Sequence, residues 1–251
     1  MSQRCKGAQQ QHRRRRRSGR QTTCGVAGRY GHGRIVGGSQ VFAHKFPWLV
    51  SSSSLVVHRQ ALSHPERLQV LLGVHDLSRP QQHSAAHNVS RVLVHPGYRH
   101  PYYDAALLLL RGAPPSDADH VRPICLPQSA DRYMPGTKTL VAGWGRVHTY
   151  GPFSSTPNEV YLNVVRNEEC SRRYNGSSVQ GLICAGAKGR DICDGDAGGP
   201  LMQFYAGRYY AAAIAGSGLA GGCALDGVPA VFTRVGTLLR WIRKTTGLQT
   251  L

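Results

Sequence analysis

At 251 residues, with 30 glycines and 7 cysteines, the chain is long enough to bury a substantial core and is of a size suited to one β-rich domain. Its formal charge of +18 is uneven: Arg4, Lys6, Arg13 to Arg17, Arg20, Arg29 and Arg34 put ten cations and no acid in the first 34 residues, leaving +8 of that total on residues 35–251. Apolar runs such as Ala105–Leu110 and Tyr209–Ala215 are strand-length, which excludes them as transmembrane helices.

Residues 1–34 read as a basic arm or pro-segment, with a solvated, disordered tail as the plainest reading of the Arg13–Arg17 block. Met1 to Thr22 is polar and shows no apolar core of a signal peptide. The sharper reading of the block is contact with heparin-like glycans, anionic lipid or nucleic acid. No aromatic side chain is interleaved with these arginines, so such contact would be electrostatic and blind to base sequence, which argues against a specific nucleic-acid site.

Composition changes near Arg34, and short apolar or alternating runs follow, separated by Gly, Pro, Asn or Ser. Strands are expected at Phe46–Val50, Leu68–Leu72, Arg91–Val94, Ala105–Leu110, Leu140–Ala142, Val160–Val165, Leu201–Tyr205, Tyr209–Ile214 and Ala230–Thr233. The end of the chain switches period. Val235, Leu238, Leu239 and Ile242 share one helical face, which predicts an amphipathic helix over about Val235–Thr246. No internal repeat is readable. No zinc-type Cys/His spacing, phosphate-cradling glycine loop or EF-hand pattern occurs, so neither a cofactor nor a metal is expected.

Five motifs stand in order: Arg34-Ile35-Val36-Gly37-Gly38, Tyr103-Asp104-Ala105-Ala106-Leu107-Leu108, Ala142-Gly143-Trp144-Gly145, Gly195-Asp196-Ala197-Gly198-Gly199-Pro200 and Val231-Phe232-Thr233-Arg234-Val235. From about Gly33 to the C-terminus the chain resembles the trypsin/chymotrypsin-like serine proteases, with alanine where the nucleophilic serine stands. The resemblance implies an all-β, chymotrypsin-like double antiparallel β-barrel with a C-terminal helix. Residues 1–34 would be the arm and 35–251 the protease-like domain. The first barrel would be shortened, because Pro47 and Gly73 are only 26 positions apart.

A triad needs a nucleophile, an imidazole and a buried carboxylate. The resemblance assigns the carboxylate to Asp104, which lies between His95-Pro96-Gly97-Tyr98 and an apolar strand, and the nucleophile position to Ala197, which has no hydroxyl. For the imidazole, His64 at the end of Ala61-Leu62-Ser63-His64 is the best candidate; a solvated loop histidine is the alternative. The Gly195 and Ala197 amides would still form an oxyanion-type nest, because backbone donors do not depend on the serine.

By the same resemblance, cleavage after Arg34 would free the Ile35 amine to pair with Asp196. Asp191 would be the acid at the floor of the specificity pocket, and Ala230 would narrow that pocket where the family has glycine. The wall tryptophan expected before Gly216 or Gly218 is absent. Implied disulfides are Cys24–Cys125, Cys170–Cys184 and Cys193–Cys223, with Cys5 left over. Another pair of family cysteines is replaced by Thr139 and Gln203. Bridges on this scale belong to an oxidising, extracellular compartment. Asn88-Val89-Ser90 and Asn175-Gly176-Ser177 are then possible glycosylation sites.

These residues lead to an inactive protease homologue that acts by binding, as a cofactor, decoy or polyanion-binding effector among the proteins of an extracellular proteolytic cascade. One rival is an active trypsin-like endopeptidase whose sequence carries an engineered alanine and a misassembled histidine segment. The other makes the arginine arm the main function, as a glycan or nucleic-acid binder with the barrel as scaffold.

Overall fold

Strand β6 (Lys138–Gly143) buries four consecutive residues, Thr139 to Ala142, as expected of a strand enclosed on both faces. It belongs to a computed structural model that describes residues 24–28, 38–52, 64–79, 84–113, 120–128, 133–186, 188–216 and 222–248. The other described strands are β1 (Ser39–Gln40), β2 (Ser51–Ser52), β3 (Gln69–Leu72), β4 (Ala85–Val94), β5 (Ala106–Leu110), β7 (Asn158–Val164), β8 (Leu182–Gly186), β9 (Pro200–Tyr205), β10 (Arg208–Ala215) and β11 (Ala230–Arg234). The two described α-helices are α1 (Asn167–Arg173) and α2 (Val235–Thr246).

Six strands close into an antiparallel barrel in the order β7-β6-β9-β10-β11-β8, with β8 returning to β7 through Asn163↔Gly186 and Val164↔Ala185. Strand β1 pairs with the opposite end of β7. Small residues let the interior taper: Ala185, Ala212, Ala213 and Ala215 lie fully or nearly fully buried around Leu162, Ile183, Leu201 and Phe232. The earlier half of the chain forms a smaller sheet, β2-β3-β4-β5, over Leu68, Val70, Leu72 and Val89. The halves meet where Val41, Phe46, Leu49 and Val74 pack on Leu140, Ala142, Trp144 and Met202. This is the expected chymotrypsin-like all-β architecture, with the first half reduced to four strands among the described residues.

Helix α2 has the predicted bounds. Its buried residues Val235, Leu238, Leu239 and Ile242 pack against Ala105 and Ala211, each gaining about 1.5–3 kcal/mol from burial. Gly247 ends it in a left-handed conformation, with φ +73° and its N–H donated to the Arg243 carbonyl. No described helix is long and apolar enough to cross a membrane.

Three sequence expectations change here. Phe46–Val50 is no strand; Leu49 N–H turns back to the Phe46 carbonyl, and the Phe46 and Trp48 rings pack on Tyr209 instead of alternating across a sheet. Strand β8 and helix α1 were not expected from the apolar pattern. Part of the expected disordered arm is seated: Cys24 is buried, Gly25 donates to the Pro123 carbonyl and accepts from Tyr209 N–H, and Gly28 donates to the Lys45 carbonyl. The rest of residues 1–34, Cys5 included, lies outside the described residues.

All three expected disulfides are formed, Cys24–Cys125, Cys170–Cys184 and Cys193–Cys223. The β6–β9 register, Leu140↔Met202, sets Thr139 across from Gln203, where the family bridge would lie. Thr139 is buried there and donates its hydroxyl to the Leu162 carbonyl at 2.7 Å.

Candidate active site

The loop from Cys193 to Pro200 is shaped by two left-handed glycines, Gly195 (φ +96°) and Gly198 (φ +84°). Asp196 N–H returns to the Cys193 carbonyl, and Gly199 N–H to that of Asp196. Its far end is tied to β10: Gly198 N–H donates to the Ala215 carbonyl at 2.8 Å, and Ala215 N–H to that of Gly199 at 2.9 Å. Ala197 is therefore held at the exposed apex of a braced turn. The Gly195 and Ala197 N–H groups donate to no acceptor among the described residues.

Asp196 faces inward. Its Oδ1 accepts the Gly145 N–H at 2.9 Å and its Oδ2 the Cys193 N–H at 3.1 Å. Burial pushes this carboxyl above the usual aspartate range, the two amide bonds pull it back, and the charge of Asp191 adds to the rise. Beside the loop, Phe153 lies against Gly195; a Cβ on that glycine would stand 2.9 Å from the ring. The Arg146 guanidinium covers the Phe153 ring at 4.3 Å, and Arg146 N–H donates to the Asp194 carbonyl.

Asp104 follows Tyr103, whose left-handed backbone (φ +52°) turns its ring onto His95 at 4.7 Å. The opposite contact of His95 is the Trp241 edge at 4.8 Å, so α2 braces this turn. The half-buried Asp104 carboxyl is pushed up by burial and drawn down by the charge of His100. It accepts no hydrogen bond from any described residue, so no described imidazole orients on it. His64 stands at the start of the 3-10 turn Pro65–Arg67, half exposed, with Nδ1 3.1 Å from Glu66 Oε1. The two residues assigned to the triad by sequence are thus not hydrogen-bonded to each other.

Asp191 is satisfied internally. Its Oδ1 accepts the Ile192 N–H at 2.8 Å and its Oδ2 the Ala224 N–H at 3.0 Å, while burial pushes its carboxyl up against those two bonds. Ala230 is buried in β11 opposite Ala185 of β8. Arg34 and Ile35 lie outside the described residues.

Residues 35–242 match the family model described as trypsin. The chain belongs to the trypsin family. Among curated relatives of this trypsin-family chain, granzyme M of Rattus norvegicus is 32% identical over 85% of this chain and 90% of its own length. The clotting factor G beta subunit of Tachypleus tridentatus is 30% identical, covering 87% and 81%. Transmembrane protease serine 11C of Mus musculus is 29% identical over 87% of this chain, which spans only 54% of that relative.

The contacts of Phe153 and Arg146 with the loop were missed in the sequence, and no local signal announces them, since their partners lie more than forty positions away. The glycines of Gly143-Trp144-Gly145 have a physical reason that emerges only here. A Cβ on either would lie 2.3 or 2.4 Å from an atom of the Asp196 carboxyl.

Proposed function

We propose that this trypsin-family chain is a catalytically inactive protease homologue that works by binding, as a cofactor, decoy or polyanion-binding effector in an extracellular proteolytic cascade. The observation that carries the reading is Ala197: a methyl group occupies the exposed apex where a nucleophilic hydroxyl would stand. Loss of a triad member leaves at most about 10³ to 10⁴-fold catalysis over water, from the oxyanion donors and substrate binding. Among the described residues no imidazole is hydrogen-bonded to the Asp104 carboxyl, which supports the same reading. One relative, a clotting factor subunit, favours a cascade setting.

What remains is machinery for holding a ligand. The Gly195 and Ala197 N–H groups, which donate to no acceptor among the described residues, suit a carbonyl or carboxylate oxygen from a peptide partner. Cleavage after Arg34 would bring the Ile35 amine to the buried Asp196 carboxylate and rearrange the same loop, so processing would regulate binding. The test is labelling of the cleaved protein with a fluorophosphonate probe beside an Arg/Lys amide assay. No labelling and no turnover are expected, and stoichiometric labelling would overturn the reading.

A further inference from the structure

We infer that Asn175 carries an N-linked glycan at the rim of the candidate site, and that the second sequon, at Asn88, stays bare. The two triplets have equivalent sequences and opposite surroundings. Asn175 and Gly176 are consecutive left-handed residues, φ +53° and +76°, in the turn that ends helix α1. Asn175, Gly176 and Ser177 are all exposed, and a Cβ on Gly176 would meet nothing within 4 Å. Neither the Asn175 amide nor the Ser177 hydroxyl takes part in a hydrogen bond among the described residues; the turn is held by Gly176 N–H donating to the Ser171 carbonyl, Ser177 N–H to that of Tyr174, and the Ser171 hydroxyl to the Ser177 carbonyl at 2.8 Å. Such a turn can present the amide and the hydroxyl together to a transferase without unfolding anything else.

Asn88 is the contrary case. It lies within the ten-residue strand β4, hydrogen-bonded on both sides to β3 and β5. Its Oδ1 accepts from Gln69 Nε2 at 3.1 Å, its carbonyl accepts Arg111 N–H, and the Ser90 hydroxyl is committed to the Leu109 carbonyl at 2.8 Å. Val89 between them is fully buried. Bending this triplet to meet a transferase would break the ladder and expose Val89.

The donor is an oligosaccharide activated as a lipid diphosphate. Asn175 Nδ2 forms the bond to the sugar's anomeric carbon, the carbon–oxygen bond to the diphosphate breaks, and the amide proton leaves to a base of the transferase, so no oxidant or reductant is needed. The position places the sugar beside the loops of the candidate site. Tyr174 Oη donates to the Pro229 carbonyl, next to Ala230, and Tyr102 Oη donates to the Ser178 carbonyl at 2.7 Å, two residues before Asp104. A glycan rooted between these contacts shields that side of the candidate site from bulky partners, whether or not the chain cleaves peptides.

The experiment uses the full chain behind a cleavable secretion leader, expressed in animal cells and treated with peptide:N-glycosidase in heavy-oxygen water before peptide mass mapping. Heavy oxygen is expected at Asn175 in most molecules and absent at Asn88. Asn175→Gln and Ser177→Ala should each remove the glycan-dependent gel shift, and Asn88→Gln should leave it unchanged. Cell-free translation into microsomes reads the same shifts where a variant fails to fold. An unlabelled Asn175 in secreted, fully bridged protein, or a shift that follows Asn88, overturns the inference; so does Asn175 converted to aspartate without the glycosidase, which marks a bare Asn-Gly amide.

Discussion

Gly145 donates its N–H to Oδ1 of Asp196 at 2.9 Å, and a Cβ on this glycine would stand 2.4 Å from the Asp196 carboxyl carbon. The Ala142–Gly145 motif thus forms the seat for Asp196, the residue before Ala197. Gly145→Ala is expected to destabilise the protein by about 1–3 kcal/mol, the usual cost of forcing a methyl into a filled space. Thermal unfolding of the two proteins side by side checks it. An unchanged midpoint would mean that Asp196 does not sit over Gly145.

If the chain is an inactive homologue as proposed, Ala197→Ser restores a hydroxyl but not its base. With no described imidazole hydrogen-bonded to Asp104 and His64 engaged with Glu66, the restored serine is expected to stay about 10⁴-fold or more below an intact triad. Amide hydrolysis by the Arg34-cleaved variant measures this. A trypsin-like rate would show that an imidazole reaches position 197.

Asp104 makes stability depend on pH in a direction that can be stated beforehand. Burial raises its folded-state pKa above the ordinary value of 3.8, so the folded protein holds this proton more tightly than the unfolded chain. The resulting stability is complete below the unfolded pKa and is lost as pH rises through the folded pKa. Asp104→Asn removes the charged form and is expected to raise the unfolding midpoint at neutral pH, with the gain shrinking toward about pH 4. A midpoint lowered at neutral pH would reveal a hydrogen-bond donor serving the carboxylate.

Cleavage after Arg34 is expected to leave the arm attached, because Cys24 is bridged to Cys125 and the flanking backbone is hydrogen-bonded to Pro123, Tyr209 and Lys45. Non-reducing gels should show one species and reducing gels two. Heparin retention should survive cleavage, fall on removal of the arginine-rich segment before Cys24, and weaken steeply with salt. Retention unaffected by that removal would move polyanion binding to the barrel.

Gly25 should be the weak point of that seat. Its φ is +67°, and a Cβ there would lie 2.3 Å from the Tyr209 carbonyl oxygen. Gly25→Ala is expected to speed reduction of the Cys24–Cys125 bridge several-fold by loosening the backbone around it. Thiol-labelling kinetics follow this directly, and an unchanged rate would show that the bridge alone holds the arm.

Residues whose behaviour depends on near neighbours were legible from the sequence. The spacing of Val235, Leu238, Leu239 and Ile242 determined helix α2, because helical periodicity is a local property of the chain. Most strands were readable for the same reason, and the missing hydroxyl at Ala197 is a matter of composition alone. Helix α1 also had a readable signal that apolar spacing overlooks, since Glu168 and Glu169 open it and Arg172 and Arg173 close it, matching the helix dipole. The tertiary structure decided what distant partners determine. Phe46 and Trp48 look like strand residues until Tyr209 draws their rings into one cluster. His64 Nδ1 lies against Glu66 two positions on, and Asp104 has no hydrogen-bonded imidazole among the described residues; the sequence announces neither arrangement. Hydrogen bonding and burial depend on which groups the folded chain brings within about 3 Å, and sequence spacing carries no such distance for residues a hundred positions apart.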